Sequence, residues 1–186
     1  LGQYIASFAL DDRMGLVTLV AALREKSRRY ALASGDELDL HFVATHGEEV
    51  GMLGAMRAAQ LLQPDLCIAL DTSPVAHGTP LAVDARPVIW YGERAYHSKA
   101  ECDKLLRLAR ELGFGAQACV YAASGSDAGR LKQAGLAGRT VCLGFARDNS
   151  HGFEIAHADS LINVTELLLA YLTQLSQETL PDNERG

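Results

Sequence analysis

Carboxylates and histidines stand at four places where an apolar run gives way to a turn. These are Asp11-Asp12-Arg13-Met14-Gly15, Thr45-His46-Gly47-Glu48-Glu49-Val50-Gly51, Ala69-Leu70-Asp71-Thr72, and Arg147-Asp148-Asn149-Ser150-His151-Gly152-Phe153-Glu154. Each has an ordinary alternative. Asp11 or Asp71 at a strand end can cap a helix or turn. Glu48 and Glu49 can complement a helix N-terminus. A single His151 can be a loop histidine. Gathered on one rim, however, three carboxylate sites and a histidine are a costly concentration of negative charge. Divalent cations remove that cost, and carboxylate with imidazole suits Zn, Co or Mn. One carboxylate can bridge two ions about 4 Å apart, and the pair can activate a hydroxide. The doublet Glu48-Glu49 then divides its work: one side chain ligates while the other moves a proton.

Such a rim needs strands that end together. Tyr4–Ala9 reads as a strand, and Asp12 to about Ala33 as a helix with Leu16, Leu19, Val20 and Leu23 at helical spacing. Ser34-Gly35-Asp36 breaks the pattern before a strand over Leu38–Ala44. A helix follows over Met52–Leu62, then an apolar strand over Leu66–Leu70 and a Pro- and Gly-bearing loop over 72–86. Pro87–Trp90 is a short strand. Ser98 and Glu101 form a capping-box pattern for a helix reaching Leu112. Gln117–Tyr121 and Thr140–Phe145 read as strands, with a short helix over Ala128–Ala134 between them. Ser160–Gln174 is a long amphipathic helix, and the tail from Gln177 is polar. Alternating strands and helices predict an α/β sheet covered by helices on both faces. Ligands in open α/β sheets collect where strands end.

The 186 residues suit a single α/β domain. The net charge of −6, with acidic and basic residues interspersed, argues against a nucleic-acid partner. No apolar run reaches the ~18 residues of a membrane helix, and no signal peptide opens the chain. Cys67, Cys102, Cys119 and Cys142 form no C-x-x-C pair and read as free thiols of a cytoplasmic protein.

The motif order is more specific than any one motif. Asp-Asp-Arg-x-Gly, Glu-Glu-Val-Gly, Ala-Leu-Asp, Gly-Ser-Asp-Ala, and a His with Glu three residues on resemble metallopeptidase family 42, over roughly residues 3–172. That family comprises the glutamyl and tetrahedral-type aminopeptidases with co-catalytic metals. The resemblance implies a zinc-exopeptidase-like fold and two divalent ions, Zn foremost, with Co or Mn as alternatives. It implies Asp11 as bridging ligand before a cis Asp11–Asp12 peptide, Glu49, Asp71 and His151 as further ligands, and Glu48 as general base and acid. His157 competes with His151 as the ligand. Asp12 and Asp127 would support the site or substrate; His46 would do so or simply end a strand. His97 would line the cleft or sit at a surface helix start.

The same resemblance implies that residues 3–176 form part of a catalytic domain, followed by a polar tail at 177–186. The family's N-terminal part, with its first histidine ligand, and its inserted β-rich domain are missing from the pattern. The expected activity is hydrolysis of N-terminal peptide bonds or small dipeptide-like amides by a metal-bound hydroxide. The parent protein is expected to be a homo-oligomer, and this chain alone weakly active or inactive. The segment from Ser150 to His157 resembles a subgroup associated with bacterial osmoprotectant dipeptide metabolism. Two rivals stand beside this. Gly125-Ser126-Asp127-Ala128-Gly129 resembles a serine nucleophile elbow but carries Asp127 where serine is needed. A catalytically incomplete metallopeptidase-like module with a binding or assembly role is the other.

Overall fold

The computed structural model describes residues 2–30, 38–76 and 78–179. Eleven elements follow in chain order: β1 (Tyr4–Phe8), α1 (Leu10–Tyr30), α2 (Leu53–Leu62), β2 (Leu66–Pro74), β3 (Pro87–Gly92), α3 (Lys99–Glu111), β4 (Gln117–Val120), α4 (Asp127–Gln133), β5 (Arg139–Asp148), β6 (Phe153–His157) and α5 (Asp159–Thr179). They build one six-stranded mixed sheet in the order β1-β6-β5-β3-β4, with β2 on the other side of β5.

The ten-residue strand β5 is the axis of the sheet. It pairs in parallel with β2 along its length, from Leu66↔Arg139 to Pro74↔Arg147. Its other side pairs antiparallel with β3 and, at Arg147 and Asp148, with β6. Successive side chains of a strand point to opposite faces, and β5 is apolar on both. Val141, Leu143 and Phe145 enter the core shared with α1, α3 and α5, while Cys142 and Ala146 enter a second core with Trp90, Tyr121 and Ala128. Helices therefore cover both faces, with α4 packed on β2 and β5 and α2 packed on α4.

Several expectations need correction. The buried stripe of α1 is Leu10, Met14, Thr18 and Ala22, whereas Leu16, Val17 and Val20 are exposed. Periodicity identified the helix but not which face turns inward. Leu38, Leu40 and Phe42 pack on the core and alternate with exposed Asp39, His41 and Val43, yet 38–45 joins no ladder among the described residues. The capping box of α3 does not form. Ser98 Oγ instead accepts from Thr140 N (3.1 Å). Glu101 accepts from Tyr171 Oη (2.6 Å) and Arg139 Nη1 (2.9 Å). β2 runs on to Pro74, into the segment expected to be loop, and α5 extends to Thr179. Strand β6 had no counterpart in the expected elements. The tail from 180 and the break at 34–36 lie outside the described residues. No helix among the described residues is long and apolar enough to cross a membrane.

Candidate metal centre

Because β6 is antiparallel to both β1 and β5, strands β1, β2 and β5 point the same way and β6 begins where they end. That edge gathers the polar junctions. At the end of β1 the chain enters α1 through non-helical backbone at Asp11 and Asp12, whose shared peptide is cis. Asp12 then caps the helix, its Oδ1 accepting from Gly15 N at 2.8 Å. Gly15 is needed for that approach, since a Cβ there would lie 2.1 Å from Asp12 Oδ2.

Three ligand-type side chains converge at this edge. One ligand atom each from Asp11, Glu49 and His151 lie within 4.8 Å of one another, a group that could hold a metal ion. His151 Nε2 stands 3.3 Å from Asp11 Oδ2 and 3.2 Å from Glu49 Oε1. Asp71, from β2, is outside that trio but lines the same cavity of about 530 Å³, together with Glu48, Trp90, Glu93, Arg94, Ser124, Gly125 and Arg130.

A buried pair holds the trio in place. Glu154, with no exposed surface, accepts from Asp11 N through Oε2 and from His151 N through Oε1, both at 2.9 Å. One carboxylate thereby ties the end of β1 to the turn after β5, and His151 keeps the positive φ of 62° that this turn demands. Arg147, 2% exposed, neutralises the buried charge. Its Nη1 lies 3.0 Å from Glu154 Oε1, its Nε bonds Thr72 Oγ1 at 2.5 Å, and its Nη2 bonds Asp11 Oδ2.

One buried arginine does not balance the carboxylates around it. Burial, then the charges of Asp11 and Glu48, push the Asp12 carboxyl up to about 8 against the opposing Gly15 N–H. Burial first, and then Asp127 and Glu49, push Glu48 up to about 7. Asp71 is held well above the ordinary range by burial and by Asp12, Asp11 and Glu48. Asp127 is raised by burial, partly relieved by the Thr45 hydroxyl at 2.7 Å. Its Oδ1 is buried without a hydrogen-bond partner among the described residues. Crowded carboxylates that retain protons near neutral pH fit a site built to receive divalent cations, which remove the same repulsion.

Asp11, Glu48, Glu49, Asp71 and His151 thus meet at one cavity, whereas Asp12 and Asp127 are not among the residues lining it. The side chain of exposed His46 is not among the lining groups; its backbone carbonyl accepts from Gly54 N (3.0 Å). His157 lies at the far end of β6, 5.3 Å edge-on to Tyr4. His97 is buried, not at the surface, its ring hydrogen-bonded to Glu93 and Thr140. Sequence inspection missed Arg147 and Glu93. An arginine closing the apolar run of β5 was the available signal for the first; Glu93 carried none.

A model of the M42 glutamyl aminopeptidases matches residues 1–167. A curated relative from Acetivibrio thermocellus, named provisionally as an aminopeptidase, is 31% identical over 136 residues, which make up 70% of this chain and 39% of that one. The crystal structure of a TET aminopeptidase from the marine sediment archaeon Thaumarchaeota archaeon SCGC AB-539-E09 superposes with a TM-score of 0.85 at 20% identity, over 96% of this chain and 51% of that one. The Pyrococcus horikoshii TET1 peptidase, described as assembling into a tetrahedron or a large octahedral shell, gives 0.75 at 24% identity, over 91% and 50%. The chain therefore spans 39% of the length of that curated relative and about half of these structures.

Proposed function

Because the chain belongs to the M42 glutamyl aminopeptidase family, we propose that its protein is a metal-dependent aminopeptidase that releases N-terminal residues from peptides or cleaves small dipeptide-like amides. The observation that carries this reading is the convergence of Asp11, Glu49 and His151 within 4.8 Å, beside Glu48 and Asp71 in one cavity. Asp11, Glu49, Asp71 and His151 would hold two divalent ions, zinc foremost. Such ions, when bound, acidify water and polarise a carbonyl.

The chain's own groups do the rest. Glu48, whose carboxyl is pushed up to about 7 chiefly by burial, is partly ionised at neutral pH and so matched to accept a proton from water and pass it to the departing amine. Arg147 and Glu154 fix Asp11 and His151 so that neither must reorganise. Asp127, beside Glu48, is among the groups that raise it. We further read the protein as a cytoplasmic homo-oligomer. Its thiols are free, and relatives of this fold are named for their assemblies.

The test uses the full-length protein loaded with zinc and assayed on a panel of aminoacyl arylamides and tripeptides. Activity lost to a chelator, regained with metal and abolished in Glu48→Gln is expected. Activity indifferent to chelation, or retained in Glu48→Gln, would overturn the reading.

A further inference from the structure

The cavity onto which the carboxylate rim opens is also walled by the segment Ala123–Ser126. Bonded to it is a second buried polar cluster, whose Glu93 also reaches the cavity and adds to the charge that raises Glu48. Glu93, whose side chain is 1% exposed, receives Ser126 N and Ser126 Oγ, each at 2.6 Å, and faces His97 Nε2 at 3.0 Å. The His97 ring is fully buried and its Nδ1 lies 3.1 Å from Thr140 Oγ1 on β5. Ser126 Oγ in turn accepts from Gly129 N at 3.2 Å, capping α4. A continuous chain of contacts, Thr140–His97–Glu93–Ser126, thus runs from the central strand to the cavity wall.

Burying a carboxylate costs several kcal/mol even when it is paired, and apolar side chains would fill the same space as well or better. Packing alone does not account for Glu93. The cluster also imposes small residues around itself. A Cβ on Gly129 would lie 2.3 Å from the Glu93 carboxyl carbon, and one on Gly125 would lie 3.1 Å from Met52 Cε and 3.4 Å from Glu93 Oε2. What these contacts specify is the position of one short stretch of backbone, Ser124–Gly125, that faces the cavity.

We infer that Glu93, braced by His97 and Thr140, is a positioning residue that sets the Ala123–Ser126 wall against which the part of a peptide substrate remote from the scissile bond is bound. This rests on the function proposed above. A peptide whose scissile bond lies at the rim occupies the cavity that this wall also lines. A displaced wall loses contacts made equally in the ground and transition states, so its cost appears in KM.

The effect separates from a merely structural role. Destabilisation lowers the folded fraction and hence apparent kcat, but leaves KM unchanged; a displaced wall raises KM. Two variants of the full-length, zinc-loaded protein test this on tripeptides, at a temperature well below the unfolding midpoint. Glu93→Gln replaces an acceptor of the Ser126 N–H with an amide that cannot satisfy all three donors. Gly129→Ala keeps Glu93 and His97, favours the helix and pushes the carboxylate off Ser126. A KM raised about 10-fold or more in both, with zinc content unchanged and kcat within about 3-fold in Gly129→Ala, which keeps the Glu93 charge, is expected. If Glu93→Gln does not fold, Gly129→Ala decides alone. Wild-type KM in the folded variants would overturn the inference while leaving the function standing. Wild-type protein inactive on every peptide and every small dipeptide-like amide would overturn the function and this inference with it.

Discussion

Stripped of divalent metal, the chain is expected to lose stability as the pH rises from about 5.5 to about 8. Asp12 and Asp71 lead the effect, Asp71 because burial and its acidic neighbours hold it well above the ordinary range. Burial leads the causes that hold the Asp12 carboxyl at about 8 in the folded chain, against an ordinary value of 3.8. Unfolded, Asp12 is already ionised at the lower pH. Folded, it keeps its proton until the pH passes about 8. Throughout the window the folded state binds more protons, so stability falls as they are lost. Integrated over the window, the Asp12 contribution is ~3 kcal/mol. Glu48, held at about 7 chiefly by burial, acts in the same direction. It is less deeply buried, and solvent screening limits it to ~1 kcal/mol. For a chain of this size these two contributions alone lower the unfolding midpoint by about 10 °C, and Asp71 adds to them. Thermal melts of chelator-treated protein at the two pH values measure this directly. Zinc added at the higher pH should restore the midpoint, because the ligands there are deprotonated and the cation removes their repulsion. Asp12→Asn should flatten the slope. A metal-free midpoint at about pH 8 equal to or above that at about pH 5.5 would refute the electrostatic account of the rim.

Glu48→Gln should lower kcat of the full-length protein about 10²- to 10⁴-fold with zinc content retained, measured by steady-state kinetics and elemental analysis. Glu154→Gln removes no ligand but loosens the shared hold on Asp11 N and His151 N; zinc affinity, read by competition with a chromophoric chelator, should fall about 10- to 100-fold. Arg147→Met leaves Glu154 buried without its cation and should cost about 3–5 kcal/mol in denaturant unfolding. Tyr171→Phe removes the hydroxyl donated to buried Glu101 at 2.6 Å and should cost about 1.5–3 kcal/mol in the same assay, with activity unchanged.

Residue order alone determined the alternation of strands and helices, the apolar runs of β2 and β5, and four polar junctions in a recognisable series. Those features are local. A period of two or of 3.6 residues reports burial within one element, and a carboxylate after an apolar run marks where that element stops. The facing of α1 was not legible, because Leu16, Val17 and Val20 keep helical spacing as well as Met14, Thr18 and Ala22 do, and only the neighbouring elements choose between the stripes. Leu38–Phe42 has the alternation of a strand but joins no ladder among the described residues, since pairing is a property of two segments and not of one. Strand β6 was hidden because its five residues overlap the motif read as a ligand turn.

Tertiary structure decided the site itself. Arg147 meets Asp11 from 136 positions away, Glu154 reaches Asp11 N across 143, and Glu93 grips Ser126 across 33. None of these contacts leaves a periodic trace, because they follow from strand order and direction. β1, β2 and β5 run parallel while β6 returns between β1 and β5, and that arrangement brings chain-distant carboxylates to one edge. The residue types capable of the chemistry are written in the sequence. Their separation by a few ångströms is set by the hydrogen-bond register of the sheet, which no single stretch of the chain encodes.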